Sequence, residues 1–357
     1  MRARRAGGEP VGEVRVIRAG VIGFGFMGQT HVRAYLSASR AGEPVVLTAV
    51  ADLSGAPATG MAATRGNIDT GTPERLFDPA EVRAFGSARE LLSSGLCDVV
   101  SVCTPTDTHL EVGLLALERG HHVLMEKPVA VRSEEVMRLR EAERAHGRRV
   151  MPGMCMRFWP GWTWLRNTQR AGTYGALKSL RLVRLGSRPD WSAFYADDER
   201  CGGAVVDLHL HDVDYVMHLL GVPARVFSVG TPGHIQTSFM FAAAGPEPRL
   251  VTAEGGWLDS PGRGFRMRFV AEFERATAEF DLARARPLTL TRDGLTEDVD
   301  IPAGTGYEGE VREFVRWAAA GGSSEPPVTL RDASAALAVI AAEKRSVATG
   351  EVCAVET

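Results

Sequence analysis

Gly23-Phe24-Gly25-Phe26-Met27-Gly28 follows directly on an apolar run, Val14–Ile22, that reads as a strand, and it opens a segment whose Thr30–Ser37 portion reads as helix. A G-x-G-x-x-G spacing at such a strand-to-helix turn suits a dinucleotide. The first glycine permits the tight turn, the second lets backbone approach a pyrophosphate, and the third lets helix and strand pack closely. The helix N-terminus then presents unpaired N–H groups to the phosphates. Gly23, Phe24, Gly25, Phe26, Met27 and Gly28 are therefore expected to bind the cofactor.

Downstream, Val45–Ala51 reads as a second strand ending on Asp52. A carboxylate there can accept from the adenosine ribose hydroxyls and repels a 2′-phosphate; with no arginine at 53 or 54, NAD is favoured while NADP stays open. Asp98–Cys103 reads as a buried strand, Leu110–Arg119 as a helix stopped by Gly120, His122–Met125 as a strand, and Ser133–His146 as a helix stopped by Gly147. Ser87 and Glu90 have capping-box spacing at the start of a short helix. Asn67–Thr72, inside the Gly-, Thr- and Ala-rich stretch Ser54–Glu74, reads as a surface loop. Strands alternating with helices in this way build a doubly wound parallel sheet, the Rossmann arrangement, whose ligands sit at the carboxyl ends of the strands. Thr104, Pro105 and His109 fall at one such end, and Glu126 and Lys127 at the next. His109 suits a structural hydrogen bond as well as a cofactor contact.

The chain has 357 residues, 41 basic against 44 acidic, for a net charge of −3. No global positive field exists to draw nucleic acid or an anionic membrane, and no apolar run approaches the ~18–20 residues that span a bilayer. Residues 1–13 read as a flexible start, because Gly7-Gly8-Glu9-Pro10 stands where a signal peptide needs an apolar stretch. Five scattered cysteines with no C-x-x-C pair indicate reduced thiols and a cytoplasmic setting. Only three of the 41 basic residues are lysines, and one of them is Lys127. Its compact ammonium is tunable in a way that a guanidinium is not.

Near Met151 the pattern changes, dividing the chain into a dinucleotide-binding domain, 14–153, and a second domain, 154–357. Alternating runs at Lys178–Leu185, Arg225–Val229, Leu250–Trp257, Arg266–Glu274 and Thr277–Leu282 suggest a largely antiparallel sheet. Tyr307–Ala320 and Leu330–Ala348 read as helices, so the second domain is α+β. Asp207 and His211 are four apart, and Asp214 and His218 continue on the same helical face. An Asp–His pair, with the carboxylate orienting the imidazole, is what a proton-transferring site needs. Metal ligation by Asp207, His209, His211 and Asp214 is disfavoured, since no further His/Cys cluster accompanies them. His209 and His218 also fit ordinary, partly buried histidines. Phe158, Trp159, Trp162 and Trp164 either floor a sugar pocket or form a core cluster.

Taken in order, Gly23–Gly28, Glu126-Lys127-Pro128 and Gly202-Gly203…Asp207…His211 resemble the glucose-fructose oxidoreductase / inositol dehydrogenase / rhizopine-catabolism (Gfo/Idh/MocA) family. Thr104–His109 matches a further family segment, and the likeness spans about residues 14–350. It implies a second domain with a large, open, mostly antiparallel sheet that makes homodimers or homotetramers. It also implies NAD(P)-dependent oxidation or reduction of a hydroxyl or ketone on a sugar or cyclitol. By the same likeness Lys127 touches nicotinamide ribose and substrate oxygen, His211 is the general base, and Asp207 orients or relays. Arg157, Trp159, Trp162 and a second imidazole, His209, are the further substrate-pocket candidates. Two other activities fit these motifs: glycoside cleavage through transient oxidation, and ligand sensing without turnover.

Overall fold

The computed structural model of the protein describes residues 15–62, 74–190, 193–242, 250–260, 262 and 264–356. The start at 1–13, Val14 and the Asn67–Thr72 loop lie outside the described residues. Among those described, the first half forms strands β1 (Ile17–Ile22), β2 (Val45–Ala51), β3 (Arg83–Phe85), β4 (Val99–Val102), β5 (His122–Glu126) and β6 (Val150–Gly153). Between them run helices α1 (Phe26–Arg40), α2 (Ala88–Ser93), α3 (His109–Glu118) and α4 (Ser133–His146). The strands pair in parallel in the order β3-β2-β1-β4-β5-β6, which reverses direction beside β1. That reversal opens the crevice in which doubly wound sheets bind ligands. β1, β4 and β5 are almost wholly buried because helices cover both faces, and their apolar runs follow from that.

The second half contributes α5 (Pro160–Ala171), β7 (Leu177–Ser187), α6 (Asp198–Cys201), α7 (Leu210–Leu220), β8 (Arg225–Thr231), β9 (His234–Met240) and β10 (Leu250–Leu258). It continues with β11 (Arg266–Phe273), β12 (Thr277–Asp281), β13 (Leu288–Arg292), β14 (Leu295–Asp298), α8 (Gly306–Ala319), α9 (Leu330–Thr349) and β15 (Cys353–Ala354). Nine strands form one sheet, β14-β13-β12-β11-β7-β10-β9-β8-β15. It is antiparallel except where β10 runs parallel to β7. The alternating burial of β11, buried at every second residue, is the mark of a sheet with one covered face.

Two groups of elements escape the sequence reading. β3, β6, β9, β13, β14 and β15 are short or broken by polar residues, so their period is weak. Pro160–Ala171 is a helix because Pro160 occupies its first turn, where no N–H is needed, and Gly172 ends it with a left-handed φ of 61°. The last two helices begin on capping boxes, Thr305/Glu308 and Thr329/Asp332, and α8 lies against α1 of the first half. The Cβ that any other residue would carry at Gly306 or Gly309 would fall 2.1 Å from the Cys155 carbonyl or 2.8 Å from Phe158, so these glycines let α8 settle closely on residues 155–158.

Candidate active site

The glycine-rich turn has the geometry a dinucleotide requires. Gly23 has a φ of +91°, and a Cβ there would meet the Cys103 carbonyl at 2.6 Å. A Cβ at Gly28 would fall 1.9 Å from the Gly23 oxygen, so only glycine lets α1 start so close to β1. Above Gly25 nothing lies within 4 Å, which leaves open the approach a pyrophosphate needs. Asp52 stands beside this turn at the end of β2. One carboxylate oxygen accepts from Phe24 N–H at 2.7 Å, and the other accepts from the Ser54 N–H and hydroxyl at 2.8 and 2.5 Å. It therefore braces the turn as well as standing where a ribose would be read. The residues present fit NAD.

Two other cofactor candidates turn away from the crevice. Both ring nitrogens of His109 meet backbone carbonyls, Pro128 at 3.0 Å and Thr104 at 2.9 Å, and burial holds its pKa down. It ties two strand-end loops together. Thr104 itself accepts from the Thr108 hydroxyl. Glu126 points inward: one oxygen lies 2.8 Å from His31 Nε2, and the other accepts from Lys127 N–H at 3.1 Å.

Lys127, at the end of β5, sends its ammonium across to the second half of the chain. Nζ donates to the Asp207 carbonyl at 2.8 Å and to Asp207 Oδ1 at 3.0 Å. Burial pulls its pKa down, but Asp207, Tyr195 and Glu126 outweigh that and hold it above the ordinary lysine value. This lysine stays an ammonium. Asp207 lies in a π-helical turn, Val205–His209, that runs directly into α7 and is entered through Gly202 and Gly203, both at positive φ.

The expected Asp207–His211 pair does not form. The π-turn breaks the regular 3.6-residue repeat that would stack residues four apart, and the Lys127 ammonium takes the Asp207 carboxylate. His211 Nδ1 is buried without a partner. Burial first, then the nearby Lys127 and Arg184 charges, push its pKa well below the usual histidine value, so it is a neutral imidazole at neutral pH. Lys127, Asp207 and His211 nevertheless line one cavity with Phe26, Met27, Trp159, Tyr195 and Tyr307.

Several candidates are absent from that lining. Asp214 and Arg157 form a buried pair, with Arg157 Nη2 2.6 Å from Asp214 and 3.2 Å from Asp332. Arg157 is a brace between residues 155–158, α7 and α9, its guanidinium consumed by two carboxylates. Trp162 is fully buried, edge-on to Phe269 and Phe280, and belongs to the core. His209 is fully buried on the far side of the π-turn, bonded to Glu343 at 3.1 Å and pressed on Gly255. Asp207, His209 and Asp214 thus hold three different partners and do not converge. The cavity also gains residues the sequence reading missed. Tyr195 comes from a short 3-10 turn, Ala193–Ala196, with its pKa raised to about 12 mainly by burial. Arg184 comes from β7, fixed by both oxygens of Asp212. The aromatic run around Tyr195 was the available signal for the first; β7 alternation alone gave none for Arg184.

Comparison with known proteins agrees with the two-part fold. A model described as "Oxidoreductase family, NAD-binding Rossmann fold" matches residues 17–154, and one described as "GFO/IDH/MocA C-terminal domain" matches 162–278. The chain is 29% identical to the rhizopine catabolism protein MocA of Rhizobium meliloti over 64% of either chain. It is 34% identical to the D-glucoside 3-dehydrogenase of Escherichia coli over 36% of this chain and 37% of that protein. The match thus spans under two thirds of both. Inositol 2-dehydrogenase 2 of Saccharopolyspora erythraea is 29% identical over 94% of this chain and 95% of its own. A levoglucosan dehydrogenase solved with NADH and levoglucosan superposes with a TM-score of 0.77, covering 96% of this chain and all of that one at 21% identity, a likeness of fold.

Proposed function

The chain belongs to the GFO/IDH/MocA family of oxidoreductases with an NAD-binding Rossmann fold, and from that premise we propose that it interconverts a hydroxyl and a ketone on a sugar or cyclitol. The observation that carries this reading is the convergence in one cavity of a charged lysine and a neutral histidine beside the glycine-rich turn. NAD, held by the Gly23–Gly28 turn and Asp52, supplies the hydride acceptor or donor when bound.

The chain's own residues supply the proton chemistry. His211 is uncharged and has an unpartnered ring nitrogen, so it can take the hydroxyl proton during oxidation and return it in reduction. Lys127 remains positive at the cavity wall, where it offsets negative charge developing on the substrate oxygen. Asp207 holds the ammonium in place, which is a positioning role for Lys127 and not an orienting role for His211. The cavity walls add Trp159 and Tyr307, whose ring faces suit the C–H surface of a ring-shaped polyol. The nine-stranded sheet offers the face through which two or four copies would associate.

The test is turnover with NAD across a panel of sugars and inositols. K127M and H211A are each expected to lose about 10²–10⁴-fold in kcat while calorimetric NAD binding persists. Near-normal turnover in both variants overturns the assignment. Aryl-glycoside cleavage with bound NAD and no accumulating NADH would favour redox-assisted glycoside cleavage instead, and NAD binding with neither activity would favour a sensor.

A further inference from the structure

Beneath the strand end that carries Lys127 lies a second cluster of titratable groups, none of which faces the cavity. His31 from α1, Glu126 from β5 and Glu310 from α8 bring a ring nitrogen and two carboxylate oxygens within 4.8 Å of one another. His31 and Glu310 are fully buried and Glu126 nearly so. The ring has a complete set of partners. Nδ1 lies 3.0 Å from the Ser101 hydroxyl, which the Tyr35 hydroxyl meets at 2.9 Å, and Nε2 lies 2.8 Å from Glu126 Oε1. Glu126 receives a second donor from Lys127 N–H on its other oxygen. Glu310 receives none: both of its oxygens are buried without a hydrogen-bond partner, and the nearer stands 3.8 Å from His31 Nε2.

Every hydrogen bond made to the two carboxyl groups therefore falls on Glu126. A pair of carboxylates sharing a dry site cannot both be ionised, and the negative charge settles where the donors are. We propose that Glu310 is held as a neutral acid whose O–H is the third donor to Glu126, and that it thereby positions the strand end bearing Lys127. Burial first, then the charge of Glu126, push the Glu310 carboxyl well above the usual carboxylate range. The Cys103 and Cys155 thiols and the Tyr307 phenol also face this site, and none of them brings a positive charge. The broad terminal torsion of a glutamate lets the O–H turn toward Glu126. A metal ion fits the same three side chains less well. Ligand atoms around tetrahedral zinc stand about 3.4 Å apart, whereas His31 and Glu126 are in hydrogen-bond contact at 2.8 Å.

The consequence for turnover rests on the reading of Lys127 given above; the protonation of Glu310 does not. Infrared difference spectroscopy on the full chain at neutral pH is the test, wild type against E310Q and E310M, in H2O and D2O. A deuterium-sensitive carboxylic-acid C=O band should be present in wild type and missing from both variants. E310Q, with an amide N–H in place of the O–H, should keep close to wild-type turnover. E310M should fold at least as stably, since it buries no polar group, but lose about tenfold in kcat with NAD affinity unchanged. Absence of the band, or its survival in the variants, overturns the neutral acid. Stoichiometric metal in the purified protein that is lost in E310Q overturns it too. Unchanged kcat in E310M overturns the positioning role. If Lys127 takes no part in turnover, K127M is active while the infrared band stands, so the two failures are told apart.

Discussion

The two ends of the cavity are built on opposite principles. At the cofactor end, geometry is made by backbone: Gly23, Gly25 and Gly28 are neighbours in sequence, and their lack of side chains is what matters. At the reacting end it is made by titratable side chains from distant segments, Lys127 from the end of β5, Asp207 and the neutral His211 around the π-turn, and Arg184 from β7. The first arrangement tolerates no added atom at Gly23 or Gly28; the second tolerates no unpaired charge. Steric fit governs one and desolvation the other.

Removing one buried partner at the charged end should have the largest effect on stability. Asp214 is fully buried, burial drives its pKa up, and Arg157 is what compensates it. R157M is expected to lower stability by about 3–5 kcal/mol, read as a fall in the denaturant midpoint. A stable R157M with a raised substrate KM would instead return Arg157 to the substrate pocket. G28A probes the steric end: its Cβ would overlap the Gly23 carbonyl, with an expected loss of about 1–3 kcal/mol and of measurable NAD binding. G25A, where space is open, should fold normally and lose only cofactor affinity. If G28A and G25A behave alike, the two glycines do not differ in the way the geometry requires.

Finer effects follow from the same contrast. His211 is depressed below the ordinary histidine value of 6.5, so it stays a free base as pH falls through that value. Lys127 is raised above 10.5 and stays charged on the alkaline side. The profile of kcat/KM for oxidation should therefore be flat between these values, with its acid limb below pH 6.5; an acid limb centred at 6.5 would show His211 to be exposed to solvent. D52A should be the mildest change, narrowing NAD preference over NADP roughly tenfold, the scale of one hydrogen bond to a charged group. Because Asp52 also accepts from Phe24 N–H, some general loss of NAD affinity should accompany it.

The contrast also separates what was legible in the residues from what was not. β1, β2, β4, β5 and the helices between them are recoverable from apolar runs with glycine stops, since each strand is buried on both faces and its signal is local. β13 and β14 carry polar, exposed residues and leave no such trace. Lys127, Asp207 and His211 line one cavity, but where the regular helical repeat places Asp207 over His211, the structure gives Asp207 to Lys127. His209 and His211 are two residues apart and chemically identical, yet one is locked to Glu343 in the core and the other lines the cavity.

The glycine turn, the parallel sheet, the acid at the end of β2 and the residue types available for proton transfer are written in short stretches of chain, because they depend on backbone conformation and short-range periodicity. Which charges neutralise which, the bracing of α7 and α9 by Arg157, and the placing of Glu310 beside Glu126, the neighbour of Lys127, emerge with the folded chain alone. Charge pairing is a matter of distance and dielectric in three dimensions, and segments dozens of residues apart or more, 80 for Lys127 and Asp207, share both only after the chain has folded.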